Sequence, residues 1–251
     1  MSPKLLILGG TAEASALAAL VAARGWDAVL SYAGRTAAPR AQPVPARVGG
    51  FGGVHGLVAY LAAEKITHLI DATHPFAARM SANAVAAGAV GGAALAALER
   101  PAWARETGDR WVDVPDMAAA AAALEGPARR VFLAIGRQEI GVFASQPQHH
   151  YLLRLVDPPE TAPPLPRHSV VVARGPFDAA GDAALMAAHG IDCVVAKNAG
   201  GTGARAKLEA ARSLGLPVIM VARPAVPDRR VFTTPEAVVH WVAHAGTALG
   251  V

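Results

Sequence analysis

The chain has 251 residues, of which 53% are hydrophobic, and its net charge at pH 7 is +4. A chain of this size and apolar content buries a core large enough for one large or two small domains, and no stretch is polar enough to be disordered. The small charge lacks the dense basic stripe that nucleic-acid binding requires. A single cysteine excludes disulfides within the chain, and we expect Cys193 to be a small core residue.

The N-terminal residues predict a β-α-β unit. The apolar run Leu5 to Leu8, bounded by Gly9 and Gly10, is typical of a strand buried on both faces. An alanine-rich helix should follow as far as Gly25, and a second buried strand begins near Ala28. The glycine pair therefore lies at the first strand-to-helix turn, where helix N–H groups attract a phosphate. Its spacing departs from Gly-x-Gly-x-x-Gly, so a purely structural turn is the alternative.

The end of the second predicted strand favours NADP over NAD. NAD sites usually place an Asp or Glu here to bind the ribose 2′-hydroxyl, whereas this chain has Ser31, followed by Arg35. A hydroxyl and a guanidinium suit a 2′-phosphate, which a carboxylate would repel. We therefore expect both side chains to contact NADPH, the alternative being a solvated arginine.

Two further segments lie at the same predicted sheet edge. A third short strand ends in a glycine-rich run with Gly49 and Gly50, which is either a flexible connection or a close approach to the cofactor. The next buried strand runs into Asp71, Thr73 and His74. Polar residues at the carboxyl end of parallel strands face ligands, so these three are site candidates. The simpler alternatives are a structural histidine and a helix-capping aspartate.

The second half of the chain repeats the alternation of buried strands and helices. Three of its predicted strands end in a cation, at Arg137, Arg174 and Lys197, and Arg223 follows the last strand. Because parallel strands share one carboxyl edge, these charges should gather there. The turn from Gly200 to Gly203 adds N–H donors but lacks the Walker A spacing. We expect a site for a small polyanion, with solvated arginines as the alternative.

The sequence predicts no targeting or membrane-spanning segment. The longest uncharged stretch, Met80 to Leu98, is mostly alanine and glycine and is too weakly apolar to span a bilayer. The first strand begins at Lys4, which leaves no room for a signal peptide. We therefore expect a cytoplasmic protein.

Several short segments, spread in order along nearly the whole chain, match one known family. They are Ile7 to Glu13, Ser31 to Arg35, Gly49 to Gly52, Asp71 to Ala77, Arg174 to Phe177 and Lys197 to Gly201. The run Asp-Ala-Thr-His-Pro-Phe is the most specific of them. Together they resemble the precorrin-6A reductases of cobalamin biosynthesis. The resemblance implies an NADPH-dependent reduction of one ring double bond of precorrin-6A, giving precorrin-6B.

The expected architecture is α/β, with two Rossmann-like domains, mainly parallel sheets and a ligand cleft between them. We place an NADP-binding domain at 1–100, a linker region at 101–128 and a second α/β domain, on the substrate side, at 129–251. The expected cofactor-binding residues are Gly9, Gly10, Thr11, Glu13, Ser31, Arg35, Gly49, Gly50, Asp71 and Thr73. The expected substrate-binding residues are Arg137, Arg174, Lys197, Asn198, Gly200 and Gly201, and the catalytic candidates are His74 and Lys197.

The sequence leaves parts of the reaction open. It suggests no metal ligands, Ser-His-Asp set or paired catalytic carboxylates, so the chemistry would come from the nicotinamide. The proton that accompanies the hydride could come from His74, Lys197 or water, and the macrocycle could be cobalt-free or cobalt-bound. We expect a carboxylate-rich tetrapyrrole as the ligand, with no nucleic-acid or membrane partner, and a monomer or small homo-oligomer. The rival interpretation is a non-catalytic NADP-sensing module that binds a protein partner.

Overall fold

The computed structural model describes residues 2–34 and 41–244, which divide into two compact units. The first unit comprises Met1–Pro101 and Ala225–Val251, and the second comprises Ala102–Pro224. Each unit has its own sheet and its own apolar core.

The first unit contains a six-stranded sheet flanked by helices. Its elements in chain order are β1 (Lys4–Leu8), α1 (Ala12–Ala23), β2 (Asp27–Tyr32), β3 (Ala46–Val48), α2 (Val54–Ala63), β4 (His68–Asp71), α3 (Ala78–Gly91), β5 (Ala94–Leu98) and, after the second unit, β12 (Val231–Phe232) and α7 (Pro235–His244). The strand order is β12-β5-β4-β1-β2-β3, and the pairings are parallel. β1 therefore lies between β2 and β4.

Apolar layers cover both faces of this sheet. On one face, Leu5 and Ile7 of β1 pack with α1 and with Val239 of α7. On the other face, Leu6 and Leu8 pack with α2 and α3. Alternate residues of a strand point to opposite faces, so the whole apolar run of β1 is buried because both faces are covered.

The second unit contains another six-stranded sheet. Its elements are β6 (Arg110–Val114), α4 (Met117–Ala122), β7 (Arg130–Ala134), a 3₁₀ helix (Arg137–Ser145), β8 (His150–Leu155), β9 (His168–Val172), α5 (Ala179–Ala188), β10 (Cys193–Lys197), α6 (Ala206–Ser213) and β11 (Pro217–Val221). The strand order is β6-β11-β10-β7-β8-β9, again with parallel pairings. Phe132 and Val194 lie in its core, packed with Met186 of α5 and Leu208 of α6. Cys193 is buried as predicted, and burial raises the pKa of its thiol to about 11.

The unit boundaries differ from the predicted domains in two places. The sequence predicts a linker over 101–128, but these residues include β6, which pairs with β11 of the second sheet, and α4. The predicted second domain runs to 251, whereas the chain returns to the first unit at Ala225, where β12 pairs with β5. The physical reason is burial, because α7 completes the first core with Val238, Val239 and Val242.

The two parallel sheets confirm the predicted α/β class with two Rossmann-like domains. In the first sheet the chain runs outward from β1 to β2 and β3, and then returns to β4 on the other side of β1. In the second sheet it runs from β7 to β8 and β9, and then returns to β10 on the other side of β7. Ligands of open α/β sheets bind at the carboxyl ends of the strands beside this switch point. The ends of β1 and β4, and those of β7 and β10, are therefore where side chains matter most for function.

Candidate functional site

The glycine turn after β1 lies at the carboxyl edge of the first sheet. The N–H of Gly9 donates to the Ser31 carbonyl (2.9 Å), and the N–H of Ala72 donates to the Leu8 carbonyl (2.9 Å). These bonds place the turn between the ends of β2 and β4. The structure thus brings the predicted residues after β1, β2 and β4 to one edge.

The space above this turn is open. Gly10 has φ +115°, a conformation that side chains rarely adopt. Among the described residues, and apart from its immediate chain neighbours, a Cβ atom at Gly10, Gly49 or Gly50 would meet no other atom within 4 Å. The turn leads directly into α1, whose first N–H groups carry the positive end of the helix dipole. This edge therefore fits the phosphates of a dinucleotide.

Thr11 and Glu13, both predicted to bind the cofactor, have partners within the protein. The Thr11 hydroxyl donates to the Ala72 carbonyl (2.8 Å) and accepts from the N–H of Ala14 (3.1 Å), so it caps α1 and ties it to the end of β4. Glu13 forms a 2.8 Å ion pair with Arg100. Because Arg100 offsets the charge of this carboxylate, Glu13 does not oppose an anion at the turn.

The Ser31 side chain binds a cation that sequence reasoning missed. Nη1 of Arg47 donates to Ser31 Oγ (2.7 Å) and to the Gly49 carbonyl (3.1 Å), and Nη2 donates to the Gly50 carbonyl (3.2 Å). Arg35, which the sequence pairs with Ser31, lies outside the described residues. The structure therefore places an arginine beside Ser31, but from β3.

The guanidinium of Arg47 also stacks on aromatic rings. Its Cζ lies 4.0 Å from the ring centroid of Phe51 and 5.2 Å from that of Tyr60. These contacts hold the plane of the guanidinium in one orientation at the carboxyl edge of β2 and β3. The sequence could have indicated Arg47 by its position, because a cation near the end of a predicted strand is the same pattern that indicated Arg137 and Lys197.

The residues after β4 form a hydrogen-bonded turn. The Asp71 carboxylate accepts from both the N–H (3.2 Å) and the hydroxyl (2.7 Å) of Thr73 through Oδ1. Nδ1 of His74 accepts from the N–H of Phe76 (3.2 Å), so in the neutral ring the proton lies on Nε2. Asp71 is buried, whereas Thr73 and His74 are partly exposed at the edge.

The second switch point gathers charged side chains. Arg137 follows β7, and Lys197 ends the neighbouring strand β10. Lys197 forms an ion pair with Glu139, and its side chain is 15% exposed. Arg137 is exposed. Arg137 and Lys197 therefore lie at the ends of adjacent strands, and Glu139 of the 3₁₀ helix pairs with Lys197.

The loop after β10 is fixed by neighbouring side chains. The Asn198 amide accepts from the N–H of Trp103 (2.8 Å) and donates to its carbonyl (3.1 Å), so this side chain holds backbone. The guanidinium of Arg223 donates to the carbonyls of Asn198 (3.0 Å) and Ala199 (3.1 Å). Trp103 Nε1 donates to the Gly201 carbonyl (2.7 Å). Asn198 and Arg223 thus shape the loop.

One feature of the same loop favours an anion. Gly200 and Gly201 have φ values of +71° and +74°, a left-handed backbone that suits glycine at a tight turn. The loop leads into α6, whose N-terminal end adds a positive dipole.

Arg174 lies apart from the other cations. It follows β9, the outermost strand, which β7 and β8 separate from β10. Its side chain is exposed and forms a 3.3 Å ion pair with Asp157. In the same motif, Phe177 stacks on Arg154 at 3.7 Å, and Arg154 pairs with the buried Asp182. Part of this motif therefore stabilises the fold.

Residues 2–34 and 41–244 contain neither a membrane-spanning helix nor a cluster of metal ligands. No helix there is long and apolar enough to cross a membrane. No group of three or more His, Cys, Asp or Glu side chains in those ranges is arranged to hold a metal ion.

Two Rossmann-like sheets, the first with an open glycine turn at its switch point, define an α/β protein of the dinucleotide-binding class. A comparison with family models then gave a match over residues 4–243. The chain belongs to the precorrin-6x reductase CbiJ/CobK family. This result confirms the family predicted from the sequence motifs, and membership of a reductase family implies a nicotinamide cofactor.

Individual relatives agree with the family assignment. The chain is 61% identical to the precorrin-6A reductase of Rhodobacter capsulatus over 249 residues, which is 99% of each protein. It is 49% identical to the precorrin-6A reductase of a Sinorhizobium species, covering 97% of this chain and 95% of the relative. The solved structure of a CobK precorrin-6A reductase superposes with a TM-score of 0.94 at 61% identity, covering 97% of each chain.

Proposed function

We propose that the protein reduces one ring double bond of precorrin-6A with NADPH, giving precorrin-6B. The observation that carries this proposal is membership of the precorrin-6x reductase family over residues 4–243, at 61% identity to a curated precorrin-6A reductase. The same similarity favours the reductase over the non-catalytic NADP-sensing module. It also favours a cobalt-free macrocycle, because the two relatives described above are named for precorrin-6A.

The geometry at the end of β2 supports NADPH rather than NADH. Ser31 offers a hydroxyl and Arg47 a guanidinium, and the two are joined at 2.7 Å. In this position an NAD enzyme usually has a carboxylate for the ribose 2′-hydroxyl. A guanidinium beside a hydroxyl would instead bind a 2′-phosphate through charge-assisted hydrogen bonds. Arg35 stays a second candidate from the sequence.

The reduction adds a hydride and a proton across a carbon–carbon double bond. The bound dihydronicotinamide supplies the hydride and its two electrons and is oxidised in the process. Among the described side chains, His74 presents an Nε2–H when neutral, and Lys197 presents an ammonium group. Either group, or water, completes the reduction by protonating the second carbon. The protein contributes mainly orientation.

The second unit supplies groups that suit the carboxylates of a tetrapyrrole. Lys197 and Arg137 lie at its switch point, and the loop that contains Gly200 and Gly201 leads into the N-terminal end of α6. Glu139 neutralises Lys197 in this structure, and a substrate carboxylate would replace it as the partner of the ammonium group. We propose no nucleic-acid or membrane partner, a cytoplasmic location, and action as a monomer or small homo-oligomer.

A direct assay tests the reaction. The protein is mixed with NADPH and precorrin-6A, and the absorbance at 340 nm is followed together with the mass of the macrocycle. We expect stoichiometric oxidation of NADPH and a mass gain of two hydrogens. Tight binding of NADPH without oxidation would support the sensing module instead, and oxidation with NADH at the same rate would remove the proposed cofactor preference.

A further inference from the structure

A buried charge cluster lies behind the turn that follows β4. Arg229, from the segment that precedes β12, donates through Nη2 to Glu99 Oε2 at 2.8 Å. Its Nε atom lies 3.9 Å from Asp71 Oδ2. The side chains of Arg229 and Asp71 are 6% and 2% exposed. One guanidinium therefore lies between carboxylates at the ends of β4 and β5, and a cation in this place offsets both of them.

The contact between Arg229 and Asp71 is electrostatic rather than a hydrogen bond. Asp71 Oδ2 and Arg229 Nε are both buried and have no hydrogen-bond partner among the described residues. An unsatisfied buried polar group costs free energy, so each such atom in a native structure calls for an explanation. Asp71 Oδ1, by contrast, accepts two hydrogen bonds, both from Thr73.

These bonds fix the polarity of the Thr73 hydroxyl. A carboxylate oxygen only accepts hydrogen bonds, so the single proton of the Thr73 hydroxyl is committed to Asp71. The hydroxyl oxygen keeps its lone pairs and can only accept a further bond. Thr73 is partly exposed, so a ligand can reach it. The turn therefore offers an acceptor, which suits an N–H or O–H donor and not a phosphate or carboxylate.

The strand order indicates which part of the cofactor meets this acceptor. Ser31 and Arg47 lie at the ends of β2 and β3, and the glycine turn follows β1. A dinucleotide with its 2′-phosphate at Ser31 and its pyrophosphate at the turn extends over the end of β4. The nicotinamide half then lies beside Thr73, and its donors are the carboxamide NH₂ and the ribose hydroxyls.

We propose that Arg229 is a positioning residue which, through Asp71, holds the Thr73 hydroxyl as a hydrogen-bond acceptor for the nicotinamide half of NADPH. The proposal rests on the proposed function, because it takes NADPH as the cofactor. Arg229 does not touch the cofactor itself. Its guanidinium keeps the Asp71 carboxylate in the orientation that receives the Thr73 proton.

The experiment measures NADPH affinity by fluorescence, without substrate, for Arg229→Gln, Thr73→Val and the double variant. We expect about a three- to tenfold loss for Thr73→Val, the range of one hydrogen bond, and a measurable loss that is no larger for Arg229→Gln, which acts only through Thr73. The double variant should bind no more weakly than the weaker single variant, because both changes remove the same acceptor. Arg229→Lys keeps a cation and should lose less affinity than Arg229→Gln.

The neighbouring Arg230 provides the matched control. It is exposed, with its guanidinium 5.7 Å from the ring of Trp241, so Arg230→Gln removes the same charge outside the cluster. We expect Arg230→Gln to bind NADPH as the wild type does. Equal affinities for Arg229→Gln and Arg230→Gln would overturn the proposal.

Two further arms complete the design. An analogue with a 3-acetylpyridine ring lacks the carboxamide NH₂, so a loss in Thr73→Val for NADPH but not for the analogue identifies the carboxamide as the donor. A loss of affinity in Thr73→Val for both NADPH and the analogue identifies a ribose hydroxyl as the donor. No loss of affinity for either ligand overturns the proposal, and this result does not depend on whether Arg229→Gln folds.

If the wild type oxidises NADPH with precorrin-6A while all variants bind NADPH normally, only this inference fails. If the wild type does not bind NADPH, both fail.

Discussion

Ser31 and Arg47 illustrate how single side chains were predicted and missed. Ser31 follows directly from its position at the end of a buried strand, because the residue there contacts the ribose in Rossmann-like folds. Arg47 is the middle residue of a strand of only three residues, whose length gives little pattern to recognise. Its contact with Ser31 also depends on the pairing of β2 with β3, and a sequence does not state which strands are neighbours.

Replacement of Arg47 tests the cofactor preference. Arg47→Ala should weaken NADPH binding by about 1.5–3 kcal/mol, the usual value of a hydrogen bond to a charged group, and should change NADH binding little. Dissociation constants for both cofactors measure this difference, and Arg35→Ala serves as the parallel variant from the sequence. An equal loss for NADPH and NADH would show that Arg47 supports the fold rather than the 2′-phosphate.

Replacement of Lys197 tests the substrate side. Lys197→Ala should lower kcat/KM for precorrin-6A about tenfold, because a charge-assisted contact to a carboxylate is lost, while NADPH affinity stays unchanged. Arg110→Ala is the control, since Arg110 is an exposed cation at the opposite, N-terminal end of β6. A fall in NADPH affinity for Lys197→Ala would contradict the assignment of Lys197 to the substrate.

At the scale of elements, the helices and strands were largely predictable because their signals are local. The apolar run of β1, the alanine-rich α1 and the glycine after it are contiguous in sequence. The role of Asn198 was not predictable in this way, because its amide binds the backbone of Trp103, which is distant in the chain. An amide in a motif looks the same whether it binds a ligand or a neighbouring loop.

The junction between the glycine-rich loop and α2 leads to a stability prediction. A Cβ at Gly56 would lie 1.7 Å from the carbonyl oxygen of Phe51, so Gly56→Ala should lower the free energy of unfolding by roughly 2–4 kcal/mol. Gly181, in the first turn of α5, has no such neighbour closer than 3.4 Å. Gly181→Ala should therefore raise stability by about 0.5–1 kcal/mol. Denaturant unfolding of both variants measures the contrast, and similar effects would contradict it.

At the scale of the whole molecule, the buried His68 and the partly buried His150 make stability depend on pH. Burial lowers the pKa of His68, which packs edge-on against Trp241. Burial also lowers the pKa of His150, with smaller contributions from the charges of Arg130, His189 and His168. The unfolded chain, whose histidines titrate near about 6.5, then binds more protons than the folded chain. Stability should therefore be full above that pH and fall as the pH drops below it.

Denaturant unfolding between pH 5 and 8 measures this dependence. The free energy of unfolding should decrease on acidification below about pH 6.5, and His68→Gln should reduce the slope. His55, an exposed histidine of α2 for which no such burial applies, provides His55→Gln as the control. The same slope in both variants would show that His68 does not contribute.

The division of the chain was the least predictable feature. After β11 the chain simply continues, and the short β12 and single helix α7 resemble a further repeat of the second unit. Only the apolar face of α7, with Val238, Val239 and Val242 packed against the first core, shows where it belongs. Which of two cores receives an amphipathic helix depends on the shape of each core, and a linear pattern does not contain that information.

The split first unit has a consequence for biosynthesis. A ribosome releases β1 to β5 first, then all of the second unit, and only afterwards the segment that carries Arg229, β12 and α7. The second unit can acquire its structure while the nascent chain is still growing, whereas the first unit must wait with the face of its sheet that α1 and α7 share only partly covered. Premature termination anywhere before α7 would thus leave an aggregation-prone fragment that contains the glycine turn but cannot close its core.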